Sequence, residues 1–158
     1  MILESPEQRR ALLDRSHNVA MVGASANQLR PSYFVFRYLN THGFDVRPVN
    51  PAYSDVDGIV SYPTLAAYAA ENGPPDIVDV FRKPADAPQV ARDAVAAGAK
   101  AIWFQYGVIN DEAIKIADQA GLDVVVDRCM KVEHARFAGG LTVSGMNSGV
   151  LTSKRRAL

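Results

Sequence analysis

The stretch NVAMVGAS, residues 18–25, decides the fold class of this chain. It is a short apolar run of strand length that ends at Gly23, where a glycine lets the backbone turn tightly. The region that follows, residues 32–42, carries apolar side chains at helical spacing, and Gly43 after it is typical of a helix C-terminus. A strand, a glycine turn and a helix in this order predict the first half of a βαβ unit.

The same alternation of strand and helix continues along the chain. Apolar runs predict strands at residues 18–23, 44–49, 76–81, 99–104 and 122–127. Helical patterns lie at residues 5–16, 32–42, 63–72, 85–97 and 111–120. Because such units join parallel strands by right-handed crossovers, we predict an α/β fold: a Rossmann-like, doubly wound, parallel five-stranded sheet in a single domain, with the spatial strand order 3-2-1-4-5.

The length of 158 residues fits one domain. We expect a core at residues 16–137, preceded by an N-terminal helix at residues 5–16, where Ser5 and Gln8 have the spacing of a capping box. The C-terminal tail, residues 138–158, has no clear pattern. Its candidates for short strands or an arm are residues 141–143 and 149–151, and the basic residues 154–156 are expected to be solvated.

The composition excludes several function classes. Lys and Arg total 17, as do Asp and Glu, so the charge balance gives no reason to expect binding to nucleic acid or to a membrane. The single cysteine, Cys129, excludes an intramolecular disulfide. Residues 1–15 are too charged for a signal peptide, and no apolar run is long enough to span a bilayer. We expect a cytoplasmic protein without a metal site.

Small, polar and basic residues gather where the predicted strands end. In an open parallel sheet, ligands bind in the crevice at the carboxyl ends of the strands. The residues that follow the five strands in turn are Gly23, Ala24, Ser25 and Ala26; Asn50 and Pro51; Arg82 and Lys83; Gln105 and Gly107; and Arg128, Cys129 and Met130. The opposite edge carries the glycines that end the helices, so the asymmetry indicates a binding site at one edge.

The first of these turns has the features of a phosphate cradle. Free N–H groups at a helix N-terminus attract phosphate, and Arg30 stands just before the helix predicted to begin near Ser32. A side chain at Gly23 is expected to occupy the place of the phosphate. The alternative is an ordinary loop in which Ser25 or Ser32 caps the helix. The turn lacks the glycines of a dinucleotide fingerprint, because Ser25 and Gln28 stand at those positions.

Several of these segments together resemble a known family. Residues 22–25 (VGAS), 30–33 (RPSY), 48–51 (PVNP), 79–82 (DVFR) and 127–129 (DRC) are similar to the small CoA-binding proteins of bacteria and archaea. Those proteins in turn resemble the N-terminal domain of the succinyl-CoA synthetase α subunit. The resemblance extends over residues 16–137 and implies a Rossmann-like domain that binds coenzyme A, or an acyl-CoA, with no settled catalytic activity.

The resemblance assigns expected roles to the residues at the strand ends. Residues 23–26, with Pro31 and Ser32 at the helix start, are expected to face the pyrophosphate of CoA, and Arg30, Lys83 and Arg82 to supply further positive charge. Val49, Asn50 and Pro51 are expected to border the adenosine. An acid at that place would hold the ribose diol of NAD and repel the 3′-phosphate of CoA. Gln105 and Gly107 are expected to lie toward the pantetheine arm, and Cys129 and Met130 at the same edge.

Two of these residues have open interpretations. Phe81 is either a core residue at a strand end or a packing surface for adenine or pantetheine. Cys129 is either a small buried side chain or, with Arg128 and Lys131 beside it, a thiolate that contacts the CoA thiol.

Three functions stay open from the sequence. The leading one is a non-catalytic CoA carrier, sensor or thiol-protecting module. An NAD(P)-binding oxidoreductase is disfavoured by the glycine pattern and by Asn50. A CoA-binding subunit of a ligase complex needs a partner chain, and a homo-oligomer is equally compatible with the sequence.

Overall fold

A computed structural model describes residues 1–138, and the predicted tail features at 141–143, 149–151 and 154–156 lie outside the described residues. The helices are α1 (Pro6–Arg15), α2 (Pro31–Asn40), α3 (Leu65–Asn72), α4 (Ala87–Ala96), α5 (Asp111–Gln119) and α6 (Met130–Ala138). The strands are β1 (Asn18–Val22), β2 (Asp45–Val49), β3 (Asp55–Val56), β4 (Ile59–Val60), β5 (Ile77–Val80), β6 (Ala101–Phe104) and β7 (Asp123–Val126).

The central sheet has five parallel strands in the spatial order β2-β1-β5-β6-β7. The predicted fold class, an α/β Rossmann-like fold, is confirmed. The predicted strand order is wrong: when the five sheet strands are numbered along the chain, the order is 2-1-3-4-5 and not 3-2-1-4-5. The third strand therefore lies beside the first, and the second lies at the edge.

The residues of β2 and β5 explain this order. Pro48 in β2 has no N–H to donate, and its carbonyl accepts a hydrogen bond from the N–H of Tyr62, on the side away from β1. Asp45 and Arg47 of the same strand are only half-buried. Proline and charged residues are typical of edge strands. By contrast, every residue of β5 is buried, so this strand belongs in the interior of the sheet.

Most predicted elements lie within two or three residues of their observed bounds. The capping box of α1 is present, because Ser5 Oγ accepts from the N–H of Gln8 and Gln8 Oε1 accepts from the N–H of Ser5. The sequence analysis did not predict the small antiparallel pair β3–β4 or helix α6. In the described part of the chain, no helix is long and apolar enough to cross a membrane.

Two apolar layers cover the faces of the sheet. Helices α1, α2 and α6 contribute buried side chains to one layer, and helices α3, α4 and α5 contribute to the other. Helix α6 is tied to α1 by a buried ion pair, in which Arg9 Nε lies 3.1 Å from Glu133 Oε2. This pair holds the start of α6 at the carboxyl edge of the sheet.

Candidate functional site

A cleft of about 1190 Å³ opens at the carboxyl edge of the sheet. After β1 the chain crosses to β2 on one side and later returns to β5 on the other, so the loops that follow β1 and β5 part at this point. Such a reversal of strand order leaves a crevice where ligands bind in open α/β sheets. The cleft therefore lies where the fold class places a ligand.

Many of the residues predicted for the site line this cleft. They are Gly23, Ser25, Arg30, Pro31, Ser32, Asn50, Phe81, Arg82, Lys83, Gln105 and Cys129. They come from the loops after all the sheet strands and from the start of helix α2, and the sheet register brings them to one edge. The observed strand order places β5 beside β1, so Phe81 and Arg82 lie directly beside Gly23. The predicted strand order would have separated these residues by a strand.

Other predicted residues do not line the cleft. Ala24 and Met130 are fully buried in the apolar layer of α2 and α6, and Val49 is buried in the opposite layer. Ala26 packs against the core as well. Pro51 and Gly107 lie on the loops beside the cleft without lining it. The positions of Ala24, Val49 and Met130 are explained by their apolar side chains, which are buried in the core although their backbone reaches the edge.

Gly23 is required by the protein's own backbone. Its φ angle is +85°, and a Cβ atom placed there would lie 2.1 Å from the carbonyl oxygen of Phe81. The N–H of Gly23 also donates to the carbonyl of Val49 at 3.0 Å. The glycine therefore lets the loops after β1, β2 and β5 approach one another. The backbone of Phe81 is therefore an obstacle to any side chain at this position, and the expected clash with a bound pyrophosphate stays a prediction.

The two serines of the first loop shape it without capping helix α2. Ser32 Oγ accepts from the N–H of Ser25 at 3.1 Å, and Ser25 Oγ accepts from the N–H of Asn27 at 3.0 Å. The hydroxyl of Ser25 also lies 3.2 Å from that of Tyr53. Arg30, at the N-cap position, makes no capping bond with its side chain. The expected alternative of a serine cap is therefore wrong, and the N-terminus of α2 stays open to an anion.

Positive charge is concentrated around the cleft although the chain as a whole is neutral. Arg30, Lys83 and Lys131 line it, and none of them forms an ion pair with a described residue. Arg82 does have a partner, because its Nη2 lies 3.2 Å from Asp86 Oδ2. The site thus offers unpaired cations to an anionic ligand, and the Arg82–Asp86 pair competes with that ligand for Arg82.

Aromatic side chains complete the lining, and the sequence analysis did not select them. Phe34 of helix α2 is 53% exposed and lines the cleft, as Tyr53 and Tyr106 do. Phe81 is half-buried: it packs against the core and also lines the cleft, and its contact with adenine or pantetheine stays a prediction. The remaining lining residues that were not selected are Asn27, Val35, Ala52, Asp86, Val108, Lys131, Val132 and Ala135.

The missed residues fall into two groups with different signals. Val132, Ala135 and Lys131 belong to helix α6, whose pattern at residues 130–138 is detectable in the sequence in hindsight. Tyr53 gave no signal, because it lies in the irregular loop between β2 and β3, where its hydroxyl contacts that of Ser25.

Cys129 is a buried thiol and not an activated thiolate. Burial raises its pKa above the usual value, the nearby carboxyl of Asp79 acts in the same direction, and the backbone N–H groups of Val132 and Lys131 only partly oppose them. The residue is 8% exposed, yet it lines the cleft. The expectation that neighbouring positive charge makes it a thiolate is therefore wrong.

Two hydrogen bonds, one of them from a buried core residue, fix the loop that carries Cys129. The indole N–H of Trp103 donates to the carbonyl of Arg128 at 2.8 Å. Asp127 Oδ1 accepts from the N–H of Gly107 at 2.9 Å, which joins the loops after β6 and β7. Because Trp103 is the single tryptophan of the chain, its fluorescence reports on this part of the cleft.

Comparisons with known proteins agree with this geometry. Residues 17–135 match a family model described as a CoA binding domain. The chain is 34% identical over 131 residues to the uncharacterised protein YneT of Bacillus subtilis, which covers 83% of this chain and 95% of that protein.

Solved structures of similar proteins have the same fold. A hypothetical protein from Pyrococcus horikoshii is 41% identical with a TM-score of 0.79, covering 84% of this chain and 92% of that one. A protein from Thermus thermophilus is 33% identical with a TM-score of 0.78, covering 84% and 98%.

Proposed function

The chain belongs to the family of CoA-binding domains, and from that membership we propose that it binds coenzyme A, or an acyl-CoA, in the cleft at the carboxyl edge of the sheet. We propose a role as a carrier, a sensor or a thiol-protecting module and not as a complete enzyme. The observation that carries this proposal is the set of cations without an ion-pair partner among the described residues, Arg30, Lys83 and Lys131, that line the cleft together with the open N-terminus of α2.

The nucleotide end of CoA suits the loop after β1. Its pyrophosphate needs N–H donors and positive charge, which the start of α2 and Arg30 supply. Lys83, after β5, is the candidate for the 3′-phosphate. Asn50 is occupied by its neighbours, because its Nδ2 donates to the carbonyl of Ala24 at 2.9 Å and its Oδ1 accepts from the N–H of Ala52 at 2.9 Å. Asn50 therefore holds two loops together and brings no negative charge toward a phosphate.

The arm of CoA suits the other half of the cleft. Phe34, Phe81 and Tyr106 offer apolar surface to its methyl and methylene groups. Gln105 and Cys129 stand at the far side of the cleft from the phosphate loop, where the thiol end belongs. We also propose that the protein can act with a ligase-like partner chain or as a homo-oligomer. Any reaction of a bound thioester would need catalytic groups from such a partner.

Ligand identity is tested by thermal unfolding. We expect CoA to raise the melting temperature and NAD to leave it unchanged, because a ligand that binds the folded state stabilises it by about 2.7 kcal/mol at a hundredfold excess over Kd. Asn50 stands where NAD-binding folds hold the ribose diol with an acid. Quenching of Trp103 fluorescence gives a second readout. Equal shifts with CoA and NAD would contradict the proposal.

The phosphate contacts are tested with Arg30→Ala and Lys83→Ala. We expect each variant to weaken CoA binding by about tenfold, because a charge-assisted bond to phosphate contributes roughly 1–3 kcal/mol. Dephospho-CoA separates the two phosphate sites: a residue that meets the 3′-phosphate loses affinity for CoA only, and one that meets the pyrophosphate loses affinity for both. Arg92→Ala is the control, since Arg92 pairs with Glu112 on helix α5, away from the cleft. Unchanged affinities in both variants would remove these residues from the site.

The reactivity of Cys129 is tested with CoA disulfide. The Cys129 thiolate would attack one sulfur, form a mixed disulfide with CoA and release the second CoA as its thiolate. Because burial raises the pKa of the thiol, we expect a slow reaction at pH 7 whose rate rises about tenfold per pH unit up to pH 9. Intact-protein mass spectrometry measures it, and Cys129→Ser is the unreactive control. A rate that is independent of pH over this range would show that the thiolate is already present.

A further inference from the structure

A buried carboxyl lies directly beneath the cleft. Asp79, in the central strand β5, is fully buried and does not itself line the cleft. Its Oδ1 accepts a hydrogen bond from Gln105 Nε2 at 2.5 Å, while its Oδ2 has no hydrogen-bond partner among the described residues. Gln105 does line the cleft, at the end of the neighbouring strand β6. One hydrogen bond therefore links a buried ionisable group to the surface that a ligand contacts.

The burial of Asp79 lowers the stability of the folded protein, so folding does not explain why an acid stands at this position. A carboxyl that is removed from water with one oxygen unpaired loses its hydration without full compensation. Strand β5 is otherwise Ile77, Val78 and Val80, so an apolar residue would suit this position better. The position of Asp79 next to a cleft-lining amide points to a role in the site.

We propose that Asp79 is a positioning residue: it holds the amide of Gln105 with the carbonyl oxygen toward the cleft, so that the site accepts a hydrogen bond from a donor on the arm of CoA. This inference rests on the proposed function and deepens it, because it assigns the polarity of the pocket at the thiol end. The donor is a pantetheine amide N–H or the thiol S–H, both of which a hydrogen-bond acceptor recognises.

The orientation of the amide follows from the charge on Asp79. An ionised carboxylate only accepts hydrogen bonds, so Gln105 must turn its NH₂ group toward it. The Oε1 of Gln105 accepts no hydrogen bond from a described residue and is left for the ligand. If Asp79 takes up one proton from solvent, a proton on Oδ2 would have no acceptor. A proton on Oδ1 is satisfied when the amide turns over and Oε1 accepts it, and the NH₂ group then faces the cleft.

The proton equilibrium of Asp79 lies near neutral pH. Burial raises the pKa of this carboxyl to about 7, with the bond from Gln105 and the nearby backbone N–H of Val80 opposing the rise. On the flanking strands its partners are Met21 and Trp103, which do not titrate.

Other titratable groups face the same apolar layer. The Cys129 thiol is coupled electrostatically to Asp79 and stays neutral in this pH range because burial raises its pKa. Helix α2 contributes the hydroxyl of Tyr33, which donates to Asp57. Helix α6 contributes Lys131 at the cleft and Glu133 in its ion pair with Arg9. Helix α6 also contributes His134, whose ring contacts Tyr38 and Phe44 of this layer and whose pKa is lowered by burial and by the nearby His42. None of its described contacts is with Asp79 or Gln105, and its titration is common to wild type and Asp79→Asn, so it cancels when the two proteins are compared.

The test is the pH dependence of CoA binding, measured by calorimetry at pH 6 and pH 8. Affinity should fall at pH 6, because the fraction of protein with ionised Asp79 falls by about tenfold when its pKa is 7. Asp79→Asn cannot titrate, so this part of the pH dependence should be lost. Titration of the 3′-phosphate of CoA is common to both proteins and cancels in their ratio. Identical pH profiles of wild type and Asp79→Asn would overturn the proposal.

A second variant separates positioning from a direct charge effect. Gln105→Met keeps Asp79 but removes the amide, and the tenfold dependence should be lost here also. If it persists in Gln105→Met, the charge acts on the ligand without Gln105 and the proposal fails. Failure of every protein, wild type included, to bind CoA would instead overturn the proposed function. In that case the side-chain ¹⁵N resonance of Gln105 in the free protein still decides the matter: it should titrate near pH 7 in wild type and stay constant in Asp79→Asn.

The donor on the ligand is identified with S-methyl-CoA, which retains the amides but lacks the S–H. Equal tenfold pH dependence for CoA and S-methyl-CoA would assign the donor to a pantetheine amide. A pH dependence seen with CoA but not with S-methyl-CoA would assign the donor to the thiol. If both ligands bound without the tenfold pH dependence, no donor on the arm would contact Gln105. That result would overturn the proposal.

Discussion

Replacing Gly23 with alanine is expected to destabilise the protein by about 3 kcal/mol or more, the larger part of the stability of a marginal domain. Two costs combine at this position. A side chain at a φ angle of +85° costs roughly 1–2 kcal/mol, and the Cβ atom would lie 2.1 Å from the backbone oxygen of Phe81, which cannot move without displacing β5. Denaturant unfolding, followed by circular dichroism, measures the loss.

Gly121→Ala is the matched control for this variant. Gly121 has a φ angle of +88°, and a Cβ atom built there meets nothing within 4 Å. It should therefore show the cost of the backbone conformation alone, about 1–2 kcal/mol. The difference between the variants measures the contact between the loops after β1 and β5. Equal losses would mean that this contact relaxes at no cost, and that the close approach of Gly23 and Phe81 does not constrain the site.

The strands and helices were predictable because each carries its own local signal. The apolar runs of the sheet strands and the glycines after α2, α3, α4 and α5 depend only on neighbouring residues, and the capping box of α1 is a four-residue pattern. Such signals do not depend on how the elements pack. The pair β3–β4 has two residues in each strand, which is too short for a periodic pattern.

The strand order was not predicted, because it depends on contacts between distant segments. The relevant signal, Pro48 with Asp45 and Arg47 in β2, indicates an edge strand, and this signal could have excluded the order in which that strand is interior. The correction affects function. It places β5 beside β1 and so brings Phe81, Arg82 and Lys83 to the open end of helix α2.

The site was predictable only as a set of loop ends. Knowing that strand ends meet at one edge was enough to select Arg30, Lys83, Gln105 and Cys129. It was not enough to show which side chains turn inward, as Ala24 and Met130 do, or that burial would keep Cys129 protonated. Asp79 was visible as the single charge within an apolar strand, but its meaning depends on the bond to Gln105, which only the fold reveals.

Asp79→Asn is expected to stabilise the protein at pH 8 by on the order of 3 kcal/mol and to leave its stability at pH 4 nearly unchanged. The pKa of Asp79 is raised from 3.8 to about 7 by burial in the folded protein. Folding therefore takes up a proton between these two values, and the contribution of Asp79 to the stability of the wild type falls as the pH rises from about 4 to 7. Asparagine resembles the neutral carboxyl: it carries no charge, and its NH₂ group can donate to Gln105 Oε1 once that amide turns over. The charge penalty therefore disappears.

Asp76→Asn, just before the same strand, should have the opposite effect. Burial alone would raise the pKa of Asp76, but the N–H groups of Asn18 and His17 and the ammonium of Lys100 lower it below 3.8. Its ionised form stabilises the fold, and this contribution is lost as the pH falls through the lowered pKa, so the variant should be the less stable one at pH 8. Urea unfolding of the three proteins from pH 4 to pH 8 measures both effects. If Asp79→Asn and wild type unfolded with equal free energies at pH 8, the carboxyl beneath the cleft would carry no penalty, and its retention in an apolar strand would need no functional reason.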